Sequence, residues 1–267
     1  MKQIYDIPKD VRTKKEGVTY GEMQLISYQS SVTQSIRNAN VILPPGYSQQ
    51  EKYPVVYMLH GIGGDEEEWL GANPVEMLGN LMANGEIPKM IAVLPNVRAR
   101  KDDRKDPDDI FTLEHFHAFD SFITDLTECL MPYMKEHFSI LEGREHTAIC
   151  GLSMGGRETL YISCTHPELF AYVGAFSPAI GVLPYANPFM SEPGLLTEET
   201  LKWSVEYPTF IMIATGDQDM VVRTEPERYH KALEKNGTDH IFYVTEGAHD
   251  FVVWSHGLFN FLKKIFR

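Results

Sequence analysis

The chain has 267 residues, 43% hydrophobic and 23% charged, an ordinary composition for one globular core. A net charge of −13 excludes bulk attraction to DNA, RNA or an anionic membrane as the basis of function. Cys129, Cys150 and Cys164 are odd in number and irregularly spaced, which excludes a disulfide framework and a zinc array and leaves them as small buried residues.

The first residues, Met-Lys-Gln-Ile-Tyr-Asp-Ile-Pro, lack the apolar centre of a secretion signal, and no stretch reaches the ~18 apolar residues of a membrane span. As it stands the chain reads as cytoplasmic, or as an excised domain of a secreted protein. "VTYGEMQLISY" (18–28) and "SIRNANVILP" (35–44) are rich in β-branched and aromatic residues and predict two leading antiparallel strands, closed by "LPPGY". The pattern then changes. "PVVYMLH" (54–60), "KMIAVLP" (89–95), "TAICGLS" (147–153), "YVGAFSP" (172–178), "TFIMIATG" (209–216) and "IFYVTEG" (241–247) are short apolar runs, most separated by helical patterns. Continuous apolar strands alternating with helices predict a parallel sheet covered on both faces.

Glu66, Glu67 and Glu68 predict a helix start, where negative charge suits the helix dipole. Residues 98–109 hold five basic and five acidic side chains, a solvated loop or a partial lid. His115 and His117 alternate, but no neighbouring ligand set makes them a metal site. Between 118 and 138 the spacing of Phe119, Phe122, Ile123, Leu126, Leu130, Tyr133 and Met134 predicts one helix, bent at Pro132. The stretch "PAIGVLPYANPFMSEP" (178–193) predicts a loop or short helix beside the sheet's active edge. A last helix within 252–266 would bury Leu258, Phe259, Leu262 and Phe266.

Gly151-Leu152-Ser153-Met154-Gly155 fits G-x-S-x-G, the tight strand-to-helix turn that projects a strained serine from the sheet edge. A serine hydroxyl needs a base. His249, of ten histidines, follows the last strand and precedes the last helix, where the chain order serine, acid, histidine calls for the base. The acid should follow the intervening strand, where "GDQD" offers Asp217 and Asp219. Asp219 is favoured because the turn needs room before a side chain can point back, leaving Asp217 to bond backbone amides. Oxyanion donors are expected from the backbone amide of Met154, at the start of the following helix, and from that of Ile62 in the turn His60-Gly61-Ile62-Gly63-Gly64. His60, at the strand end, reads as a brace for that loop. Trp69, Phe111 and Phe116 are candidates for lining an aromatic acyl pocket.

"LHGIGGDEEEW", "GLSMGG", "GDQD" and "GAHDFVVWSHGLFNFL" together resemble the esterase D-like branch of the α/β-hydrolases. The likeness is greatest to the carbohydrate esterase family 1 feruloyl and acetylxylan esterases attached to bacterial xylanases, and runs from "VTYGEMQLISY" to the C-terminus. It implies an α/β-hydrolase fold with a mostly parallel sheet of about eight strands, an antiparallel start and helices on both faces. It also implies a serine esterase, without metal or cofactor, acting on hydroxycinnamoyl or acetyl groups of plant xylan. On that resemblance the nucleophile falls on Ser153, the base on His249, the acid on Asp219 and the oxyanion amides on Ile62 and Met154. The whole of 1–267 is then one esterase domain. One departure stands out: where the family has a short link after the fourth strand, "NVRARKDDRKDPDDIFTLEHFHAF" intervenes, an insertion of about 98–117 at the active-site edge. The expected partner is a small ester or an acylated oligosaccharide. The rival readings are a short-chain esterase or thioesterase acting on S-formylglutathione or a siderophore ester, an acyltransferase, and a non-catalytic carbohydrate-binding relative.

Overall fold

The structure is a computed structural model that describes residues 3–102, 105, 108–110, 112–186 and 191–267. Strands β1 (Glu22–Ser30), β2 (Ser35–Leu43), β3 (Val55–Leu59), β4 (Ile91–Pro95), β5 (Thr147–Leu152) and β6 (Tyr172–Phe176) belong to the main sheet. A two-residue ribbon, β7 (Tyr185–Ala186) with β8 (Ser191–Glu192), precedes the last two main strands, β9 (Phe210–Gly216) and β10 (Ile241–Thr245). The main sheet has eight strands in the order β1-β2-β4-β3-β5-β6-β9-β10. β1 and β2 pair antiparallel, as does β2 with β4; every later pairing is parallel. The predicted strands are all present, and so is the antiparallel start.

Alternation along each strand divides the core. Val55, Tyr57 and Leu59 face one side of the sheet, while Val56 and Met58 face the other. The second face is covered by α1 (Pro74–Ala83) and α7 (Phe251–Leu262). The first is covered by α2 (Leu113–Ala118), α3 (Phe122–Asp125), α4 (Met131–His137), α5 (Met154–Thr165) and α6 (Glu225–Lys235). Because β3, β4, β5, β6 and β9 are covered on both sides, they carry no polar face, which is why their sequences read as continuous apolar runs.

Three differences from the sequence reading have local causes. The single helix expected over 118–138 is three pieces. α3 passes through a π turn at Leu126–Leu130, where the amide of Met131 bonds the carbonyl of Leu126, and α4 restarts with Pro132 in its first turn. A proline has no amide to donate, and its ring is tolerated only at a helix start, so the ladder widens by one residue before it. Phe266 lies beyond α7, in a left-handed conformation (φ 57°), and packs edge-on against Tyr172 rather than continuing the helical stripe. Of the cysteines only Cys150 is buried; Cys129 and Cys164 are half-buried free thiols.

Arg37 and Asp125 form an ion pair of 2.9 Å with both side chains wholly buried. The Tyr28 hydroxyl donates to the same carboxylate at 2.6 Å, and Arg37 also donates to the carbonyls of Asn96 and Arg98. The pair ties the antiparallel edge to α3 and to the start of the insertion. Removing one partner strands a charge in the core, so Arg37→Met is expected to cost about 3–5 kcal/mol, read as a lower urea midpoint. The double variant Arg37→Met/Asp125→Leu should recover most of that loss.

Candidate active site

Ser153 sits between β5 and α5 at φ 50° and ψ −118°. An L-residue pays roughly 1–3 kcal/mol for such a conformation, so it must be over-determined by its surroundings. The Ser153 amide donates to the carbonyl of Phe176 at 2.9 Å, and its own carbonyl accepts from Ala179 and Arg157. The glycines two before and two after are required by space. A Cβ at Gly155 would collide with the Leu59 carbonyl, and one at Gly151 with the backbone of Gly155. The turn therefore presses against the end of β3, and the loop after β3 comes up beside the serine.

His249 follows β10 in a loop closed by Asp250, whose side chain caps α7 by accepting from the Val252 amide at 2.9 Å. The imidazole stands edge-on to Trp254 at 5.1 Å between ring centres. Its Nδ1 lies 2.8 Å from Asp219 Oδ2 and its Nε2 lies 2.9 Å from Ser153 Oγ. A carboxylate only accepts, so Nδ1 carries the proton and Nε2 is left to accept from the serine hydroxyl. The other carboxylate oxygen of Asp219 accepts the amides of Val221 and Val222, each at 3.1 Å. Burial pushes the Asp219 carboxyl up, but the bond and charge of His249 and the Val222 amide outweigh it and hold it below the ordinary range. Asp217 does not reach the histidine; its carboxylate accepts the Gly247 amide at 3.0 Å.

The loop after β3 is held peptide by peptide. The Gly61 amide donates to the Glu68 carboxylate at 2.5 Å. His60 is fully buried: its Nε2 accepts the Val97 amide at 2.7 Å, which leaves Nδ1 to donate to the Gly61 carbonyl at 2.6 Å. Burial pushes the His60 pKa down to about 4, so the ring is neutral and the tautomer stays fixed at neutral pH. In a trans peptide the carbonyl and the following amide point opposite ways. Tethering the Gly61 carbonyl to His60 thus turns the Ile62 N–H away from the brace. Glu68 was expected only to favour a helix start; its bond to Gly61 spans a loop and has no periodic signal.

Beside Ser153 lies a cavity of about 260 Å³. Its walls include Ile62, Met154, Ala179, Ile180 and Val222, with Ile110, Thr112, Leu113 and Phe116 contributed by the 98–117 segment and Tyr185 by the ribbon. Phe116 therefore lies on the cavity wall, under the guanidinium of Arg157 at 4.6 Å. Trp69 does not: it is in the core of the opposite sheet face, against Phe176 and Phe251, and its indole N–H donates to the Leu59 carbonyl at 3.0 Å. The short 3₁₀ turn at Glu68–Ala72 folds the ring back under the sheet end instead of over the cavity. Phe111 lies outside the described residues. Among the described residues no group of three or more His, Cys, Asp or Glu is placed to hold a metal ion, and no helix is long and apolar enough to cross a membrane. His115 and His117 do not converge on a common point: His115 bonds the Ile62 carbonyl. In the charged loop, Arg98 is wholly buried and Arg100 pairs with Asp109 at 2.5 Å.

Residues 30–265 match the Esterase protein family. The chain belongs to that family. This esterase is 41% identical to a CE1 ferulic acid esterase from Anaeromyces mucronatus, solved with ferulic acid, covering 99% of this chain and 98% of that one at a TM-score of 0.92. It is 29% identical to an endo-1,4-beta-xylanase/feruloyl esterase of Xylanibacter ruminicola over 97% of this chain and 33% of that protein. It is 27% identical to endo-1,4-beta-xylanase Y of Acetivibrio thermocellus, over 67% of this chain and 16% of that protein. The esterase thus spans a third or less of the length of these two curated relatives. The expected kinship with carbohydrate esterase family 1 and the α/β-hydrolase fold both hold. The esterase is a serine carboxylic ester hydrolase.

Proposed function

We propose that this esterase removes hydroxycinnamoyl groups, feruloyl foremost, from an acylated plant oligosaccharide by an acyl-enzyme mechanism. The observation that carries the proposal is the relay Asp219–His249–Ser153, with bonds of 2.8 and 2.9 Å, opening onto an apolar cavity of about 260 Å³. That volume lies just below the usual range of ligand pockets, roughly 300–1,000 Å³, and suits one aromatic acid better than a long acyl chain. Kinship with an esterase solved holding ferulic acid supports the same acyl group.

In this reading His249 Nε2 takes the Ser153 proton as Oγ attacks the ester carbonyl. The amides of Ile62 and Met154 receive the negative charge that develops on the carbonyl oxygen, the second aided by the N-terminal dipole of α5. His249 then gives that proton to the departing sugar oxygen as the carbonyl re-forms and the C–O bond breaks. Water, deprotonated by the same nitrogen, releases the acid. Asp219 holds the ring and stabilises the imidazolium. The 98–117 segment serves as part of the acyl wall within a single catalytic domain.

The test compares methyl ferulate, acetylated xylan and S-formylglutathione as substrates. Preference for the last would sink the feruloyl reading in favour of the thioesterase one. A variant addresses the wall directly. Leu113 is exposed at the cavity rim, so Leu113→Trp should narrow the pocket without disturbing the core. KM for methyl ferulate is expected to rise by about tenfold, since one misfit group in an apolar pocket is worth about 1–3 kcal/mol, with 4-nitrophenyl acetate hydrolysis nearly unchanged.

A further inference from the structure

The Ile62 carbonyl is held by a second histidine, from an element the reaction scheme leaves as mere wall. His115, on α2, donates Nε2–H to that carbonyl at 2.7 Å across 53 residues of sequence. The carbonyl can only accept, so the proton on Nε2 is fixed. The ring has no exposed side-chain surface, stands edge-on to Phe119 at 5.8 Å, and leaves Nδ1 buried without a hydrogen bond. The charged groups facing it are Asp109, 3.9 Å from Nδ1, and Arg98 and Arg100 of the same segment. Burial lowers its pKa, only partly opposed by the Ile62 bond, so the ring donates as a neutral imidazole.

Two rings therefore grip successive peptide groups. His60 holds the Gly61 carbonyl and His115 holds the Ile62 carbonyl, and between them lies the Ile62 N–H. His60 comes from the end of β3, which is paired with β4 on one side and β5 on the other. His115 comes from the insertion that also supplies Leu113 and Phe116 to the cavity. A loop with glycine on either side of Ile62, gripped at one carbonyl, can still rotate about its next φ and ψ; a grip at the second removes that freedom.

We propose that His115 is a positioning residue for ester hydrolysis: by holding the Ile62 carbonyl it pins the peptide that follows the one His60 holds, so that the Ile62 N–H between them, which receives the oxyanion, cannot swing, and α2 of the insertion becomes part of the catalytic framework. This rests on the oxyanion role given to Ile62 above. An oxyanion donor acts equally on any acyl group, whereas a wall residue acts only on those that fill the pocket. That difference separates the two roles.

The experiment measures kcat and KM of wild type, Ser153→Ala, His115→Phe and His115→Gln with methyl ferulate and with 4-nitrophenyl acetate, alongside Tm. His115→Phe keeps the ring volume and loses the donor. It is expected to lose on the order of 10²-fold in kcat on both esters, the cost of an approximately 1 Å misplacement, with KM nearly constant. His115→Gln places an amide N–H where Nε2 was and should recover much of kcat. If His115→Phe does not fold, His115→Asn replaces it, a polar side chain too short to reach Ile62. A loss confined to methyl ferulate, wild-type kcat in His115→Phe, or equal losses in the Gln and donor-less variants would each overturn the proposal. Activity surviving in Ser153→Ala would instead overturn the serine mechanism beneath it.

Discussion

Ser153→Ala is expected to lower kcat on methyl ferulate by about 10⁴–10⁶-fold, leaving only the catalysis that binding and the oxyanion amides provide. The relay ends on this hydroxyl: His249 Nε2 has Ser153 Oγ at 2.9 Å as its partner, and among the described residues it bonds no other nucleophile. Stability should hardly move, because alanine keeps the same backbone cost at φ 50° and loses one bond at a partly open site. A fluorophosphonate that labels wild type but not the variant, at unchanged Tm, is the confirming result. Near-wild-type hydrolysis would refute the assignment of the nucleophile.

Asp219→Asn should cost about 10⁴-fold in kcat while preserving the fold, through the tautomer of His249 rather than through lost charge alone. The amides of Val221 and Val222 both donate to Asp219 Oδ1, so an asparagine must put its carbonyl oxygen there. Its NH₂ then faces His249 Nδ1 and donates to it. The ring proton moves to Nε2, where it points at Ser153 Oγ and can no longer accept the hydroxyl proton. Protein NMR of the imidazole nitrogens would report the switch independently of rate. The variant also carries a linkage signature. The carboxyl is held below its ordinary range in the folded state, so its stabilising contribution is present above the ordinary carboxylate pKa and is lost as pH falls through the depressed folded value. Wild type and Asp219→Asn should therefore converge in stability towards low pH and diverge above it. Parallel denaturation curves at every pH would contradict the carboxylate's placement.

How much of this was legible depends on how local each cause is. The strands were readable because a strand covered on both faces must be apolar throughout, as in "PVVYMLH" and "TFIMIATG". The elbow was readable because Gly151 answers to a collision with Gly155 a few residues on, although what Gly155 itself avoids is the Leu59 carbonyl at the end of β3. Asp219 over Asp217 followed from the reach of a short turn, and the two carboxylates do divide as that turn requires, one to the imidazole and one to a backbone amide. Trp69 misled because an aromatic ring one turn after the glycine loop has two places to go, and only packing chooses; it takes the core beneath the sheet end. The interruption at Leu126–Leu130 was half visible, since Pro132 announces a break but not its π form.

By itself, then, the sequence determined the sheet, the order of the reactive residues along its edge and the chemistry they suit, because each is written in periodicity or in contacts between chain neighbours. Tertiary structure alone decided which distant polar groups meet: Glu68 on the Gly61 amide, His115 on the Ile62 carbonyl, Arg37 on Asp125. Those bonds join residues with no fixed spacing, and each forms only because burial of the apolar framework has already brought the partners together and removed the water that would otherwise satisfy them.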